Sequence, residues 1–362
     1  MRIVHMNLFK TVPAGVFHQL AAEHDAARAL ELDWEVCVYS GDLPTAPWQV
    51  HTPYAGWGGY LRARLQFFRA VLAAQRAGHI VLLRYSLADP IQALFAGWFQ
   101  RVVTIHHTFE IEESAQTGGI KGHLKAAIER HLGLRTLARS TGLIAVTAEI
   151  AAYEQARLAR RLPALVVANG IDLSAQPLAA DARDGVPKLL FVASRFAAWH
   201  GLDLLLDATE RSSAAFELYL VGELPNAERE RAARDPRIIC TGYLAPDAIA
   251  TQMGRCDLGL STLALARKGM REACTLKVRE YLAGGLPCWA DHQDSALPAD
   301  FPFMRKGGAE LAGMLSFALA MRQQSRAEVR RAAAAHIDKT GLLGRTAAFI
   351  QSLYERVQAR TG

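Results

Sequence analysis

The sequence of 362 residues has little of what marks a membrane-spanning, secreted or metal-holding chain. No apolar run approaches the ~18 residues a bilayer-spanning helix needs. The longest candidate, around Ile91 to Phe99, has about half that length. Cysteines number 5, an odd count, with no Cys-x-x-Cys and no metal-ligand spacing. Reduced thiols in a cytoplasmic protein are the simplest reading. The opening stretch, Met1 to Lys10, enters a strand-like pattern without a charged n-region, an apolar h-region or a cleavage site, so it does not read as a signal peptide. Asp-x-Asp occurs nowhere. Aromatic and basic residues do not interleave, which disfavours a nucleic-acid reader. There is no internal repeat and no biased segment.

What is present is ordinary globular composition with a basic excess. Hydrophobic residues make up 51% and charged residues 21%, which excludes a disordered chain. The formal net charge is +6 and the pI about 9.1, favouring anionic partners such as nucleotides, phosphorylated lipids or a membrane surface. Short β-rich runs alternate with longer helical stretches. Arg2–Asn7, Trp34–Tyr39, His79–Arg84, Arg101–His106, Gly142–Thr147 and Ala164–Ala168 precede residue 170; Lys188–Ala193, Glu217–Val221, Arg237–Cys240, Asp257–Leu260 and Pro287–Ala290 follow it. Several are apolar throughout, as strands covered by helices on both faces are. The pattern predicts two doubly wound, parallel-sheet α/β domains. Turn residues at Asn169–Asp172 place the seam, giving domains 1–172 and 173–343, with the last helical stretch, 344–362, free to cross back onto the first. Two such sheets facing one another would put their strand ends around a common cleft, so chemistry is sought in the loops after strands.

The segment from Arg271 to Ala290 is the most informative. Thr275 suits an N-cap and Gly284-Gly285-Leu286-Pro287 a helix stop, predicting a helix from Leu276 to Ala283. Its open N–H groups and Lys277 form an anion site, flanked by Glu272 in the preceding loop and Glu280 within the helix. A solvated pair of glutamates would give the same spacing. Glu272-x7-Glu280 followed by Tyr-Leu-Ala-Gly-Gly-Leu-Pro resembles the donor signature of retaining GT-B glycosyltransferases, family 4 (group 1). The resemblance implies that Glu272 contacts the transferred sugar and Glu280 the nucleotide ribose. Thr275, Leu276 and Lys277 then face the donor diphosphate.

The strand–loop–helix run from Leu189 to Ala208 carries Arg195 just past its strand, where a fixed charge suits a phosphate oxygen. With His200 it resembles the family's Arg-x4-Lys pair, which neutralises the departing diphosphate; His stands here in place of Lys. A histidine is only partly charged at neutral pH, and packing beside Trp199 is its alternative role. Val167–Asp172 resembles the interdomain turn of the family, and Gly222, Glu223, Tyr243 and Leu244 fall where its members contact the base.

In the N-terminal half, Thr104-Ile-His106 resembles the Thr-x-His stretch that lines the family's catalytic centre, making His106 the first candidate and His107 the second. The paired histidines lack a nearby Asp-x-Asp or His-x3-His, so no metal site is expected. The first βα loop keeps only Gly15 of a Gly-rich phosphate loop, with Lys10 nearby as a charge contact or a plain exposed lysine. Gly119 to Arg139 reads as a helix with Lys121, Lys125, Arg135 and Arg139 on one side, either a solvated face or one resting on anionic lipid.

Taken with the resemblance, the expected function is a retaining hexosyltransferase that uses a nucleotide-sugar donor without a metal or other cofactor. Arg195, Glu272 and His106 would be its catalytic residues. The expected acceptor is a lipid-linked saccharide of envelope polysaccharide assembly, placing the protein in the cytoplasm or on the inner membrane face. A nucleotide-sugar epimerase on the same scaffold and a non-catalytic sugar-nucleotide binder are the alternatives.

Overall fold

The computed structural model describes residues 2–116 and 119–358. Among these, strands gather into two sheets, each belonging to its own unit. The first holds β1 (Ile3–Phe9), β2 (Trp34–Ser40), β3 (Gln49–His51), β4 (Ile80–Arg84), β5 (Val102–His106), β6 (Gly142–Ala145) and β7 (Ala164–Val166), in the spatial order β3-β2-β1-β4-β5-β6-β7. The second holds β8 (Lys188–Arg195), β9 (Glu217–Glu223), β10 (Ile238–Gly242), β11 (Leu258–Leu260), β12 (Cys288–Ala290) and β13 (Met304–Lys306), in the order β10-β9-β8-β11-β12-β13. Every pairing is parallel. These are the two doubly wound α/β sheets that the apolar runs predict. The first strand of each sheet lies centrally, so the winding direction reverses beside β1 and beside β8.

The continuous apolar runs are explained by two-sided burial. On β8, Leu189 and Phe191 enter one buried cluster with Leu205 and Leu218, while Leu190 enters another with Val278 and Tyr281. On β1, Ile3 and Val4 divide between two clusters in the same way. Strands β3 and β13 are the ones the sequence did not announce. Each has 3 residues, sits at a sheet edge and is bounded by Pro or Gly, too short to display a period.

The first unit comprises residues up to Ala168 and those from Lys339 onward; the second runs Asn169–Asp338. The expected seam at 172 thus lies a few residues late. The Ile171 N–H donates to the Ile337 carbonyl at 2.8 Å, tying Asn169–Asp172 into the second unit. The closing helix Lys339–Gln358 begins earlier than the expected 344 and packs in the first unit, with Leu343, Ile350 and Leu353 buried beside Ile3 and Leu20. Its first residue, Lys339, reaches Glu23 at 3.5 Å. Glu23 also lies 2.7 Å from His5 Nδ1 and accepts from Trp34 Nε1 at 3.0 Å. Burial opposes its ionisation, yet His5 and Lys339 outweigh that and hold the carboxyl at about 2.

Candidate functional site

In the second unit the ends of β8 and β11 meet at the reversal point of the sheet, where open α/β sheets bind ligands. Arg195 is the last residue of β8 and its side chain is 78% exposed. It pairs with Glu223, 4.0 Å away and also exposed, which holds the guanidinium loosely. A register irregularity between Val192 and Arg195 lifts this strand end from regular pairing with β9. Gly222 makes that possible: its φ is +118°, and a Cβ would lie 1.6 Å from the Ala193 carbonyl oxygen. The expected base-region residue Gly222 is therefore fixed by backbone space. Glu223 and Tyr243 are exposed and Leu244 is half-buried.

The helix Leu276–Ala283 has the bounds predicted for it. Thr275 occupies its N-cap position without capping it. The Thr275 hydroxyl lies 3.1 Å from that of Ser261, just past β11, and makes no bond to the helix N–H groups. The first-turn donors at Leu276, Lys277 and Val278, which no intrahelical carbonyl can reach, thus stay without a side-chain acceptor. The Lys277 ammonium is buried without a hydrogen-bond partner, 5.1 Å from the centre of the Phe191 ring on β8. Burial pushes it down to about 7, opposed by Glu280.

His200 ends the short turn Ala198–His200 and accepts the Ala197 N–H at Nδ1, 2.8 Å away. That bond leaves the ring proton on Nε2. Burial, followed by the charge of Lys277, pushes His200 down to about 3. In the ligand-free protein the ring is thus a neutral Nε2–H donor, one of the forms in which a histidine at this position can meet a phosphate oxygen. Gly201 follows with φ +71°, packed against Leu263.

Glu272 accepts a hydrogen bond from Ser295 at 2.7 Å, and its loop pairs with the strand of chain at Gln293. Glu280 is exposed one turn beyond Lys277. Sequence reasoning missed what holds this loop. Arg279 is completely buried, its guanidinium paired with both carboxylate oxygens of Asp294 at 2.8 and 2.7 Å. It also donates to the Asn169 carbonyl at 2.8 Å, while the Asn169 side-chain amide donates to the Cys274 carbonyl at 2.8 Å. Asp294 in turn accepts from the Ala296 N–H at 3.0 Å. This one ion pair fixes both ends of the arc on which Glu272 and Ser295 meet.

The first unit departs from expectation. His106 ends β5 fully enclosed, with no exposed atom, and its ring stacks on Tyr85 at 4.6 Å. Its Nδ1 lies 2.7 Å from Glu110 and 3.9 Å from Glu154. A side chain so placed presents no exposed atom to a substrate in this structure. Side chains alternate along a strand, and His106 falls on the inward side. His107 is the partly exposed one, with Nε2 3.0 Å from Arg84. Gly15 lies half-buried in the first turn of the helix Ala14–Ala29, whose N-cap residue Pro13 offers no side-chain bond. Lys10 is exposed. The expected helix at 119–139 is split into Gly119–Ile128 and Leu134–Arg139 by a wide turn at Glu129–Gly133. Gly133 is needed there, since a Cβ would lie 2.0 Å from the Glu129 carboxylate. Lys121, Lys125, Arg135 and Arg139 are all exposed.

Around His106, Arg157 binds both oxygens of Glu154 at 3.1 and 2.9 Å and reaches Glu129 at 2.8 Å. Two buried carboxyls, Glu154 and Glu129, share one guanidinium, and a third, Glu110, stands against His106. Burial therefore pushes Glu110 and Glu154 well above the usual carboxylate range, and the pair keeps a proton. Ligand atoms of His106, Glu110 and Glu154 also lie within 4.8 Å of one another, a metal-like grouping that the sequence spacing did not suggest. The His106 Nδ1 is engaged by Glu110 and both Glu154 oxygens by Arg157, while His106 Nε2 and Glu110 Oε2 are buried without a hydrogen-bond partner among the described residues. The native state thus binds a proton that the unfolded chain releases near its ordinary carboxylate pKa. Stability should fall as pH rises above that point, by at most ~1.4 kcal/mol per pH unit for one proton. Glu154→Gln, which mimics the protonated acid, should flatten the decline of Tm between pH 5 and 9. Parallel slopes in thermal melts of parent and variant would refute this placement of the proton.

The family model described as "Glycosyl transferases group 1" matches residues 186–296, the stretch that holds Arg195, His200, Glu272 and Glu280. No curated protein sequence matches the chain. Solved structures similar to it include sucrose-phosphate synthase from Thermosynechococcus elongatus, 14% identical with a TM-score of 0.70 over 98% of this chain and 100% of that one. Another is the lipopolysaccharide outer core galactosyltransferase WaaB, 13% identical, TM-score 0.66, over 97% and 99%. A third is Alr3699/HepE from Anabaena in complex with UDP and glucose, 14% identical, TM-score 0.66, over 97% and 100%. The fold is that of the GT-B glycosyltransferases.

Proposed function

We propose that the protein is a retaining, metal-independent glycosyltransferase that moves a hexose from a nucleotide-diphosphate donor to an acceptor hydroxyl. The observation that carries this reading is the convergence at the reversal point of one sheet. The Arg195 guanidinium ends β8, the uncapped helix start at Leu276 follows β11, and Glu272 and Glu280 flank that helix start. Transfer builds negative charge on the departing diphosphate and positive charge on the anomeric carbon. Arg195 and the first-turn N–H groups stabilise the first; Glu272, held by Ser295, orients the sugar. Glu280 takes the ribose hydroxyls. Attack from the face the leaving group vacates lets a phosphate oxygen accept the acceptor proton, which retains configuration.

Thermal melts with UDP-, GDP- and ADP-sugars test this. One class should stabilise selectively, by about 2.7 kcal/mol at a hundred times its Kd, and turnover should release free nucleotide at an undiminished rate in EDTA. Failure of all three classes to bind would end the reading. Isomerised sugar without nucleotide release would favour an epimerase instead, and an absolute need for a divalent ion would remove the metal-independent part.

The acceptor is proposed to be a lipid-linked saccharide of envelope polysaccharide assembly, met at the inner membrane face. No described helix is long and apolar enough to cross a membrane. Lys121 and Lys125 stand beside Ile120 and Leu124, which are 88% and 59% exposed, the mixture that rests on an anionic interface. Flotation with phosphatidylglycerol vesicles should retain the protein, and phosphatidylcholine vesicles should not. Lys121→Glu with Lys125→Glu should abolish retention, and equal behaviour on both lipids would exclude the surface.

A further inference from the structure

Among the described residues the Lys277 ammonium has no hydrogen-bond partner, although its nitrogen is buried. It lies over the Phe191 ring, in the first turn of a helix whose N–H groups have no side-chain cap. Among the described residues no group around it accepts a hydrogen bond from it. On its own helix Glu280 is the one carboxylate nearby; its charge works against the effect of burial on Lys277 without a hydrogen bond between them, and the Tyr281 hydroxyl is occupied by the Val192 N–H at 3.0 Å. From the turn Ala198–His200, His200 faces it as a neutral ring, its Nδ1 used by Ala197. Beyond that turn Lys268 lies against Trp199, adding positive charge only. Past β11, the Ser261 and Thr275 hydroxyls bond each other. A buried ammonium with donors for neighbours and no acceptor is arranged for an anion that has yet to arrive.

We infer that Lys277, rather than His200, delivers the second positive charge to the donor diphosphate, and that the incoming anion draws a proton onto Lys277 as it binds. The inference rests on the donor reading above and adds to it a proton. In the free protein the amine holds its proton poorly; beside a diphosphate it holds it firmly. Binding therefore consumes one proton from solvent: the neutral amine, the anion and H⁺ give the ammonium–diphosphate pair, and no other bond changes. The sign follows. Uptake is small well below pH 7, where the free amine is already charged, and approaches one proton above it, so affinity weakens as pH rises through the range 7 to 9. His200 contributes its Nε2–H as a neutral donor and takes no part in the uptake.

Calorimetry of UDP, GDP, ADP and inorganic pyrophosphate at pH 8.0, in HEPES and Tris buffers of different ionisation enthalpy, tests this. The parent should take up about 0.5–1 proton per diphosphate bound. Lys277→Arg, which keeps a fixed charge, should bind with no uptake and no pH dependence from this group. Lys277→Met should bind on the order of tenfold or more weakly. His200→Gln should leave the uptake unchanged. Binding by the parent without proton uptake, or loss of uptake in His200→Gln, would overturn the inference while leaving the donor reading intact. Absence of binding by every one of the four anions would overturn the donor reading and this inference with it.

Discussion

Arg279→Met is expected to destabilise the second unit by about 3–5 kcal/mol, the usual cost of removing one partner from a buried ion pair. Asp294 would be left with no exposed surface on its side chain and no guanidinium on either oxygen. Its retained bonds, from the Ala296 N–H and the weak Cys274 thiol, are too few to hold a full charge in a dry interior. The Asn169 carbonyl would lose its donor as well. Urea and thermal melts check the loss. The double variant Arg279→Met with Asp294→Leu should recover much of it, because neither charge then remains buried. Donor affinity should not recover in the double variant, since the arc that carries Ser295 and Glu272 would still be untethered. A single variant within ~0.5 kcal/mol of the parent would show that the pair is not what holds this loop.

Arg279 also shows where reading the sequence stops. The helix around it was legible to the residue, because Thr275, the apolar spacing and Gly284-Gly285 are local signals. The same local reading makes Arg279 a solvated helix charge. Its partner lies 15 positions on, in a loop whose path depends on β12, and nothing nearby in the chain announces it. A usable signal was there: Leu282 and Ala283, one turn along the same face, are apolar, so an arginine on that face demands a carboxylate. His106 is a related case. The strand ending at 106 was clear, but which of two consecutive histidines points inward is set by register against β4 and β6. His200 needed the Ala197 N–H, a bond visible only once the turn is closed. The sheets were legible because two-sided burial writes itself as unbroken apolar runs; the edge strands β3 and β13 were not, because an edge needs no such run.

Arg195→Ala should lower kcat by about 10²–10³, corresponding to roughly 3–4 kcal/mol of lost leaving-group stabilisation. The exposure of the side chain makes the variant informative. It is exposed and pairs loosely, at 4.0 Å, with an exposed Glu223, so the fold should tolerate the change and Tm should stay near that of the parent. The effect should also fall on kcat more than on donor KM, because the charge that the guanidinium meets grows as the glycosidic bond breaks. Glu280→Ala supplies the contrast. A ribose contact is the same in the ground state and the transition state, so its removal should raise donor KM and leave kcat nearly unchanged. Steady-state release of free nucleotide across donor concentrations separates the two patterns. If both variants shifted KM alone, Arg195 would be a binding residue and the charge on the departing group would have to be met by the helix start and Lys277; if neither shifted anything, the strand end at β8 would not be where the donor sits.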